Sequence, residues 1–204
     1  MTHIVLVRHG TTEWMEQGLV HGRLDSRLSE RGRQEAQQVA LRLRDEPLQA
    51  FYTSPMGRTV ETSMLIAHEI GQQPVVIDDL REMNFGWLEG RYMLHPGGAG
   101  NALISWLHQA VRGAIILLSG ESWSKVKRRA CEAVRQVVQQ SPDARVLVVT
   151  HSGIHSAILS RLLDEPHYQV RLYPFSPCAI TEIEVDEDCN GRLIALNQTQ
   201  HLRK

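Results

Sequence analysis

Short apolar runs alternate with amphipathic stretches along the first part of the chain. The β-branched run His3–Val7 predicts a buried parallel strand, and apolar residues at helical spacing after Ser29 predict a helix. Further strands are predicted at Ala50–Thr53 and Val75–Ile77, on either side of a helix from Arg58 to Ile70. The pattern is therefore strand, helix, strand, helix, strand.

The second half of the chain continues this alternation. Apolar residues form one helical stripe between Trp123 and Gln140, and a buried strand at Arg145–Thr150 precedes a helix at Gly153–Leu163. Alternating polar and apolar residues predict a half-exposed strand at Ala179–Val185, and a final strand follows near Arg192–Asn197. Strands that alternate with helices predict an α/β fold, a three-layer sandwich with a mostly parallel central sheet.

The 204 residues correspond to about one domain at roughly 150 residues per domain, so residues 1–204 are predicted to form a single domain. A variable segment at about 92–120 is unusually apolar, with a helix predicted around Ala102–Ala110. We consider two interpretations of this segment. In the first, the segment forms an apolar lid or a dimer contact, and in the latter case the protein would be a homodimer. In the second, its apolar residues simply pack in the core.

Composition narrows the classes of partner. The 22 Lys and Arg residues nearly balance the 23 Asp and Glu residues, which argues against nucleic acid and against an anionic membrane surface. The most apolar stretch is interrupted by polar residues and is too short for a membrane span. Three cysteines without CxxC spacing, and an N-terminal apolar run too short for a signal peptide, predict reduced thiols and a cytoplasmic location.

Charged and imidazole side chains follow the predicted strands. Arg8 and His9 follow the first strand, Arg58 follows the second, Glu82 comes shortly after the third, and His151 follows the strand at 145–150. Because the carboxyl ends of parallel strands meet at one edge of a sheet, we expect these five side chains to lie together. Any one of them alone would more often be a surface or capping residue.

This set of side chains suits phosphoryl transfer. Two arginines supply charge-assisted, bidentate donors to a phosphate dianion, and a neutral imidazole can attack phosphorus. A second imidazole, kept protonated by the anion, can stabilise charge on the phosphoryl oxygens, while a carboxyl group protonates the leaving oxygen and then activates water. Because side chains supply the positive charges, no metal is required, and we expect neither a metal nor a cofactor.

Six ordered motifs resemble those of the histidine phosphatase superfamily, which includes the cofactor-dependent phosphoglycerate mutases. They are LVRHG at 6–10, LSERG at 28–32, SPMGRTVET at 54–62, LRE at 80–82, GES at 120–122 and THSG at 150–153. The resemblance implies a phosphoglycerate mutase-like fold with His9 as the nucleophile and Glu82 as the proton donor. It also implies a phosphate pocket of Arg8, Arg58 and His151, and Glu13 is a weaker candidate for the proton donor.

The chain departs from the family pattern beside these motifs. Thr11 stands where the family often has an acid, and Met15 stands where it often has the asparagine that helps to hold phosphate. Leu19 and His21 replace an arginine and a glutamine. Thr11, His21 and Ser152 are predicted to contact substrate, although His21 is equally well explained as a loop histidine.

The resemblance implies a metal-independent phosphomonoester hydrolase that acts through phosphohistidine on small phosphorylated metabolites. The stretch NFGWLEGRY after Glu82 is closer to the phosphatase branch than to the mutases, which carry a longer charged segment there. The alternatives are a cofactor-dependent phosphoglycerate mutase, a dedicated enzyme such as α-ribazole phosphatase, and a non-catalytic phosphate-binding module. A neutral His9 and a protonated Glu82 predict a bell-shaped pH profile with an acidic to neutral optimum.

Overall fold

The computed structural model describes residues 1–92, 118–165, 173 and 175–202. The strands in this part of the chain form one sheet: β1 Thr2–Arg8, β2 Ala50–Thr53, β3 Val75–Val76, β4 Arg145–Thr150, β5 Ile180–Val185 and β6 Gly191–Gln198. Their order across the sheet is β3-β2-β4-β1-β5-β6. The strands β1 to β4 run parallel, whereas β5 pairs antiparallel with β1 and β6 pairs antiparallel with β5. The predicted α/β fold with a mostly parallel sheet is confirmed.

Among the described residues, four helices cover the two faces of this sheet, and a short fifth helix buries no side chain. They are α1 Glu13–Gln17, α2 Glu30–Leu43, α3 Gly57–Ile70, α4 Trp123–Gln140 and α5 Ser152–Leu162, with 3₁₀ turns at Asp78–Leu80, Gly86–Leu88 and Gln200–Leu202. Side chains alternate between the two faces of a strand, and β1 shows this directly. Ile4 and Leu6 pack with α4 and α5, whereas Val5 and Val7 pack with α2 and α3.

Most predicted elements are present at nearly their predicted bounds. The strand predicted at Val75–Ile77 is reduced to the two exposed residues of β3 at the sheet edge, and α1 and the 3₁₀ turns were not predicted. The helix predicted around 102–110 lies outside the described residues, as does most of the 92–120 segment. Leu118, at the described end of that segment, is exposed. The single-domain assignment and the variable segment stay predictions.

The register of the sheet brings the strand ends to one edge. Arg8 at the end of β1 pairs with Thr150 at the end of β4, and Thr53 at the end of β2 pairs with Val149. The loops that follow these three strands therefore begin side by side. This edge is where an open parallel sheet binds its ligands.

The loop after β1 rests directly on the first turn of α2. Ser29 caps α2 by accepting a hydrogen bond from the Gly32 amide, and its own amide donates to the Thr11 carbonyl at 2.9 Å. A Cβ at Gly32 would lie 1.8 Å from the Thr11 carbonyl oxygen, and one at Gly10 would lie 2.5 Å from the Gly32 carbonyl oxygen. Only glycine permits this contact of two backbones, which fixes the loop that carries His9.

We expect Gly32→Ala to lower the free energy of unfolding by about 2 kcal/mol, because the added methyl group overpacks a contact between two backbones. Chemical denaturation would measure the loss. Gln37→Ala, at an exposed position of the same helix, is the control and should change stability by less than about 0.5 kcal/mol. Equal stability of the two variants would contradict the argument.

Candidate active site

His9 presents one ring nitrogen to the cluster as a free base. Its amide continues the sheet by donating to the Thr150 carbonyl at 3.0 Å. Its Nδ1 lies 2.8 Å from the Gly10 carbonyl, and since a carbonyl only accepts, Nδ1 carries the proton and Nε2 the lone pair. Burial, followed by the charges of Arg8 and Arg58, holds the pKa of His9 well below its ordinary value. His9 is thus a neutral imidazole whose Nε2 carries the lone pair.

Arg58 lies beside that nitrogen and is buried completely. It belongs to the first turn of α3, and its Nε donates to His9 Nε2 at 3.3 Å. The rest of the guanidinium donates to the carbonyls of Gly22 and Leu24 and to an Asp25 carboxylate oxygen at 3.0 Å. The Asp25 carboxylate also accepts the amides of Gly57 and Arg58 and so caps α3. One carboxylate therefore orients both the helix and its arginine.

Arg8 is held by a backbone carbonyl and by a sulfur atom. Its Nη1 donates to the Phe175 carbonyl at 2.6 Å, and its Nη2 contacts the Met15 sulfur at 3.6 Å. The buried Nε has no hydrogen-bond partner within the described structure. Buried donors are normally paired, so this N–H is free for an anion. Met15 occupies the position where the family pattern has a polar asparagine, and its thioether is only a weak acceptor.

His151 lies between the end of β4 and the start of α5. Its ring meets the His9 ring edge-on at 5.2 Å, and its Nε2 is 2.8 Å from the Ser54 hydroxyl oxygen. Its buried Nδ1 has no partner among the described residues. Burial, then the charge of Arg58, holds the pKa of His151 well below its ordinary value. His151 is therefore neutral in the ligand-free protein, and the predicted protonated form requires a bound anion.

Glu82 reaches the cluster through the first turn of α5. Its Oε2 accepts from the Gly153 amide at 3.2 Å, and its Oε1 accepts from the Met83 amide at 2.8 Å. A Cβ at Gly153 would lie 2.2 Å from Glu82 Oε1, so the carboxylate requires the glycine of THSG. The start of α5 therefore positions both side chains. His151 directly precedes the helix, and the Gly153 amide in its first turn holds Glu82.

The structure does not bring the Thr11 hydroxyl into this cluster. It donates to the buried carboxylate of Glu35 at 2.8 Å, and the Thr11 amide donates to the same group at 2.9 Å. Arg31 completes the arrangement with an ion pair to Glu35. The geometry therefore gives Thr11 a role in holding the loop, in place of the predicted substrate contact. Glu13, the weaker candidate, lies exposed at the start of α1.

The two other predicted substrate contacts lie at the rim. His21 is half-buried, its ring is 6.4 Å from the His9 ring, and its Nε2 is 2.8 Å from the Thr12 hydroxyl oxygen. Burial and the neighbouring arginines lower the pKa of His21 to about 4, so it is neutral near pH 7. Ser152 is the first residue of α5 and directly follows His151. Both stay predicted contacts.

Sequence reasoning missed several residues that hold the cluster. Ser54 directly follows β2, so the rule that found His9 and His151 could also have found it. Asp25 and Glu35 act on partners far along the chain, and no local spacing identifies them. Thr62 accepts the Gly10 amide at 3.1 Å from the second turn of α3.

The described residues contain no group of three or more His, Cys, Asp or Glu side chains arranged to hold a metal ion. None of the described helices combines the length and the apolar character that crossing a membrane requires.

Comparisons with known proteins identify the family. Residues 4–199 match the model of the histidine phosphatase superfamily, branch 1, so the chain belongs to this family. It is 31% identical to a probable phosphoglycerate mutase GpmB of Cronobacter sakazakii. The 189 aligned residues cover 92% of this chain and 86% of the relative. Among solved structures it resembles Bacillus stearothermophilus YhfR, with a TM-score of 0.84, 28% identity and full coverage of both chains. The fold is also similar to that of Entamoeba histolytica phosphoserine phosphatase, with a TM-score of 0.77, 22% identity and full coverage of both chains.

The buried neutral histidines predict an acid-labile protein. Burial and Arg8 lower the pKa of His155 to about 3, and those of His9 and His151 lie well below the reference value of 6.5. Below pH 6.5 the unfolded chain binds more protons than the folded protein. The free energy of unfolding therefore decreases as the pH is lowered, by up to about 1.4 kcal/mol per pH unit for each histidine. Thermal unfolding between pH 7.5 and 5 should show this decline.

Two variants and one ligand test its origin. His155→Gln removes one titrating group and should flatten the decline, whereas the exposed His68→Gln should leave it unchanged. Inorganic phosphate should also flatten it, because an anion favours the protonated histidines. A decline of the same slope in all three cases would refute the assignment.

We expect Asp25→Asn to weaken the support of Arg58. The amide keeps an acceptor but loses the negative charge that pairs with the guanidinium and caps α3. Since the Asp25 side chain is 35% exposed, the loss of stability should be only about 1 kcal/mol. Turnover should fall more, about tenfold, as Arg58 loses its alignment. Asp45→Asn, at an exposed position, is the control, and equal activity of both variants would contradict the role of Asp25.

Proposed function

We propose that this protein is a metal-independent phosphomonoester hydrolase that works through a phosphohistidine on His9. The observation that carries the proposal is the environment of His9 Nε2. This nitrogen is unprotonated, Arg58 Nε lies 3.3 Å from it, and the His151 ring meets the His9 ring edge-on. The buried Arg8 Nε and His151 Nδ1 have no partner among the described residues. Positive groups around a neutral nucleophile suit a dianionic phosphoryl group.

The proposed reaction has two steps. In the first, His9 Nε2 attacks phosphorus, the N–P bond forms, and the bond from phosphorus to the leaving oxygen breaks while protonated Glu82 gives that oxygen its proton. In the second, water attacks phosphorus, its proton goes to the Glu82 carboxylate, and the N–P bond breaks. Inorganic phosphate leaves, and both His9 and protonated Glu82 are restored.

The arginines and His151 stabilise the transition state of both steps. The positions of Arg8 and Arg58 are fixed before substrate arrives, since their guanidinium groups are held by carbonyls and by Asp25. When the phosphoryl group binds, its charge raises the pKa of His151, and the ring can then donate to a phosphoryl oxygen through Nδ1. The cluster therefore needs no divalent cation to neutralise the phosphate.

A second candidate is a phosphoglycerate mutase. The name of the Cronobacter sakazakii relative favours it. A mutase forms the same phosphohistidine but returns the phosphoryl group to a bound intermediate, so water must be excluded. We favour hydrolysis because the segment after Glu82, NFGWLEGRY, resembles that of the phosphatase branch. Added 2,3-bisphosphoglycerate would stimulate isomerisation well beyond hydrolysis only in a mutase.

A dedicated α-ribazole phosphatase stays an alternative, supported by fold similarity to such an enzyme at 21% identity. The non-catalytic module is disfavoured because the five reactive residues are all present in the sequence, His9 contacts Arg58 and His151, and Glu82 is anchored two residues after His151. The substrate is a small phosphate ester in this proposal. A cytoplasmic location is consistent with the free thiols of Cys131, Cys178 and Cys189.

The test is turnover of a panel of phosphate esters by the wild-type protein and by His9→Ala. We expect wild-type turnover to survive EDTA and His9→Ala to lose at least about 10⁴-fold, because the substitution removes the nucleophile. Labelled ester should leave an acid-labile, alkali-stable phosphoryl group on the wild type alone. His68→Ala, at an exposed histidine, is the control. Undiminished turnover by His9→Ala would refute the assignment.

A further inference from the structure

The GES motif takes no part in the proposed reaction, yet its acid forms one of the least exposed ion pairs in the described structure. Arg129 of α4 donates to Glu121 through Nε at 2.8 Å and through Nη2 at 2.9 Å. The two side chains are only 13% and 10% exposed. Burial raises the pKa of Glu121, but the hydrogen bonds and charge of Arg129 outweigh it and hold that pKa below its ordinary value. The pair is therefore charged and fixed in orientation.

The same guanidinium also binds the backbone around Glu82. Its Nη1 donates to the carbonyls of Asp79 and Arg81, and its Nη2 donates to the Glu82 carbonyl at 3.1 Å. On the far side of Glu82, the Glu121 amide donates to the Asn84 carbonyl at 2.8 Å. Residues 79–84 are thus held by one ion pair on both sides of the proposed proton donor.

This support is important because the segment has little regular structure of its own. It consists of one 3₁₀ turn, Asp78–Leu80, followed by irregular backbone. The Glu82 carboxylate itself is anchored by the Met83 and Gly153 amides. Proton transfer needs the carboxyl within hydrogen-bond reach of the leaving oxygen, and a shift of about 1 Å costs up to about 100-fold in rate.

Glu121 also links this segment to the support of Arg58. Arg23 lies 3.5 Å from Glu121 Oε2, and it stands between Gly22 and Leu24, whose carbonyls hold the Arg58 guanidinium. Movement of Glu121 would therefore affect both the proton donor, through residues 79–84, and the phosphate pocket, through Arg23.

We propose that Arg129, oriented by Glu121, is a positioning residue that sets the Glu82 carboxyl for proton transfer to the leaving oxygen. The proposal rests on the proposed hydrolase function. Neither residue touches the reacting atoms, so its effect passes through the backbone of residues 79–84. Esters whose leaving group needs a proton should depend on the pair, and esters with a stable leaving anion should not.

The experiment compares Arg129→Met with wild type on p-nitrophenyl phosphate and on a simple alkyl phosphate. The ratio kcat/KM reports the first step, because hydrolysis of the phosphohistidine follows release of the leaving alcohol and does not enter this ratio. We expect it to fall about 10- to 100-fold for the alkyl ester and less than about threefold for the aryl ester. Glu82→Gln should show the same selectivity, and the double variant should be no worse than Glu82→Gln alone.

The matched control is Arg135→Met, which removes a partly exposed arginine of the same helix, its ion pair with Glu132 and its hydrogen bond to the Glu187 carbonyl. It should leave both esters unaffected. If Arg129→Met does not fold, Glu121→Gln removes the charge at nearly constant shape, and the same comparison applies. Equal losses with both esters in a folded variant would overturn the proposal, as would an additive double variant.

A measurement without turnover separates this proposal from the proposed function. Amide hydrogen exchange in residues 79–84 should become faster in Arg129→Met and stay unchanged in Arg135→Met. If wild type hydrolysed no ester, the hydrolase assignment would fail, while faster exchange would still support the structural link from Arg129 to Glu82. Unchanged exchange in Arg129→Met would overturn that link whatever the activity.

Discussion

The close approach of buried cations to two imidazole rings is the constraint around which the rest of the site is arranged. Arg58 is fully buried and Arg8 half-buried near His9, and burial together with their charges depresses the pKa of His9 and of His151. Such an arrangement is unfavourable until an anion joins it. The ligand-free protein tolerates it because three carbonyls and one carboxylate accept hydrogen bonds from the two guanidinium groups. The donors left over define where the anion binds.

The acidic residues of this region lie behind the cluster and stabilise the loops that form it. Asp25 accepts the amides of Gly57 and Arg58, and Glu35 accepts the amide and hydroxyl of Thr11. Glu89 accepts the amides of Arg23, Leu24 and Phe85. Each carboxylate joins segments distant in sequence, and each uses its charge on backbone donors. Of the three, only Asp25 also forms an ion pair with an arginine of the site, Arg58.

The sequence predicted those features that depend on local pattern. The buried strand at 145–150 and the amphipathic helix at 123–140 have their predicted bounds, because apolar periodicity determines both. His9 and His151 were found because they directly follow parallel strands, whose ends must meet. The helix α1 is only five residues long and has no buried residue, so it leaves no periodic signal.

The residues that support the site could not be predicted, because their contacts depend on how distant segments pack together. Whether Thr11 faces substrate or Glu35 depends on how the loop after β1 packs against α2, and that contact is set by two glycine backbones. Asp25 reaches Arg58 across 33 positions of sequence, and Arg129 reaches the Glu82 carbonyl across 47. A motif records which side chains face the ligand, because chemistry restricts their type. The groups that hold those side chains are restricted only by the geometry of the folded chain, so their function becomes visible only when distances between distant segments are known.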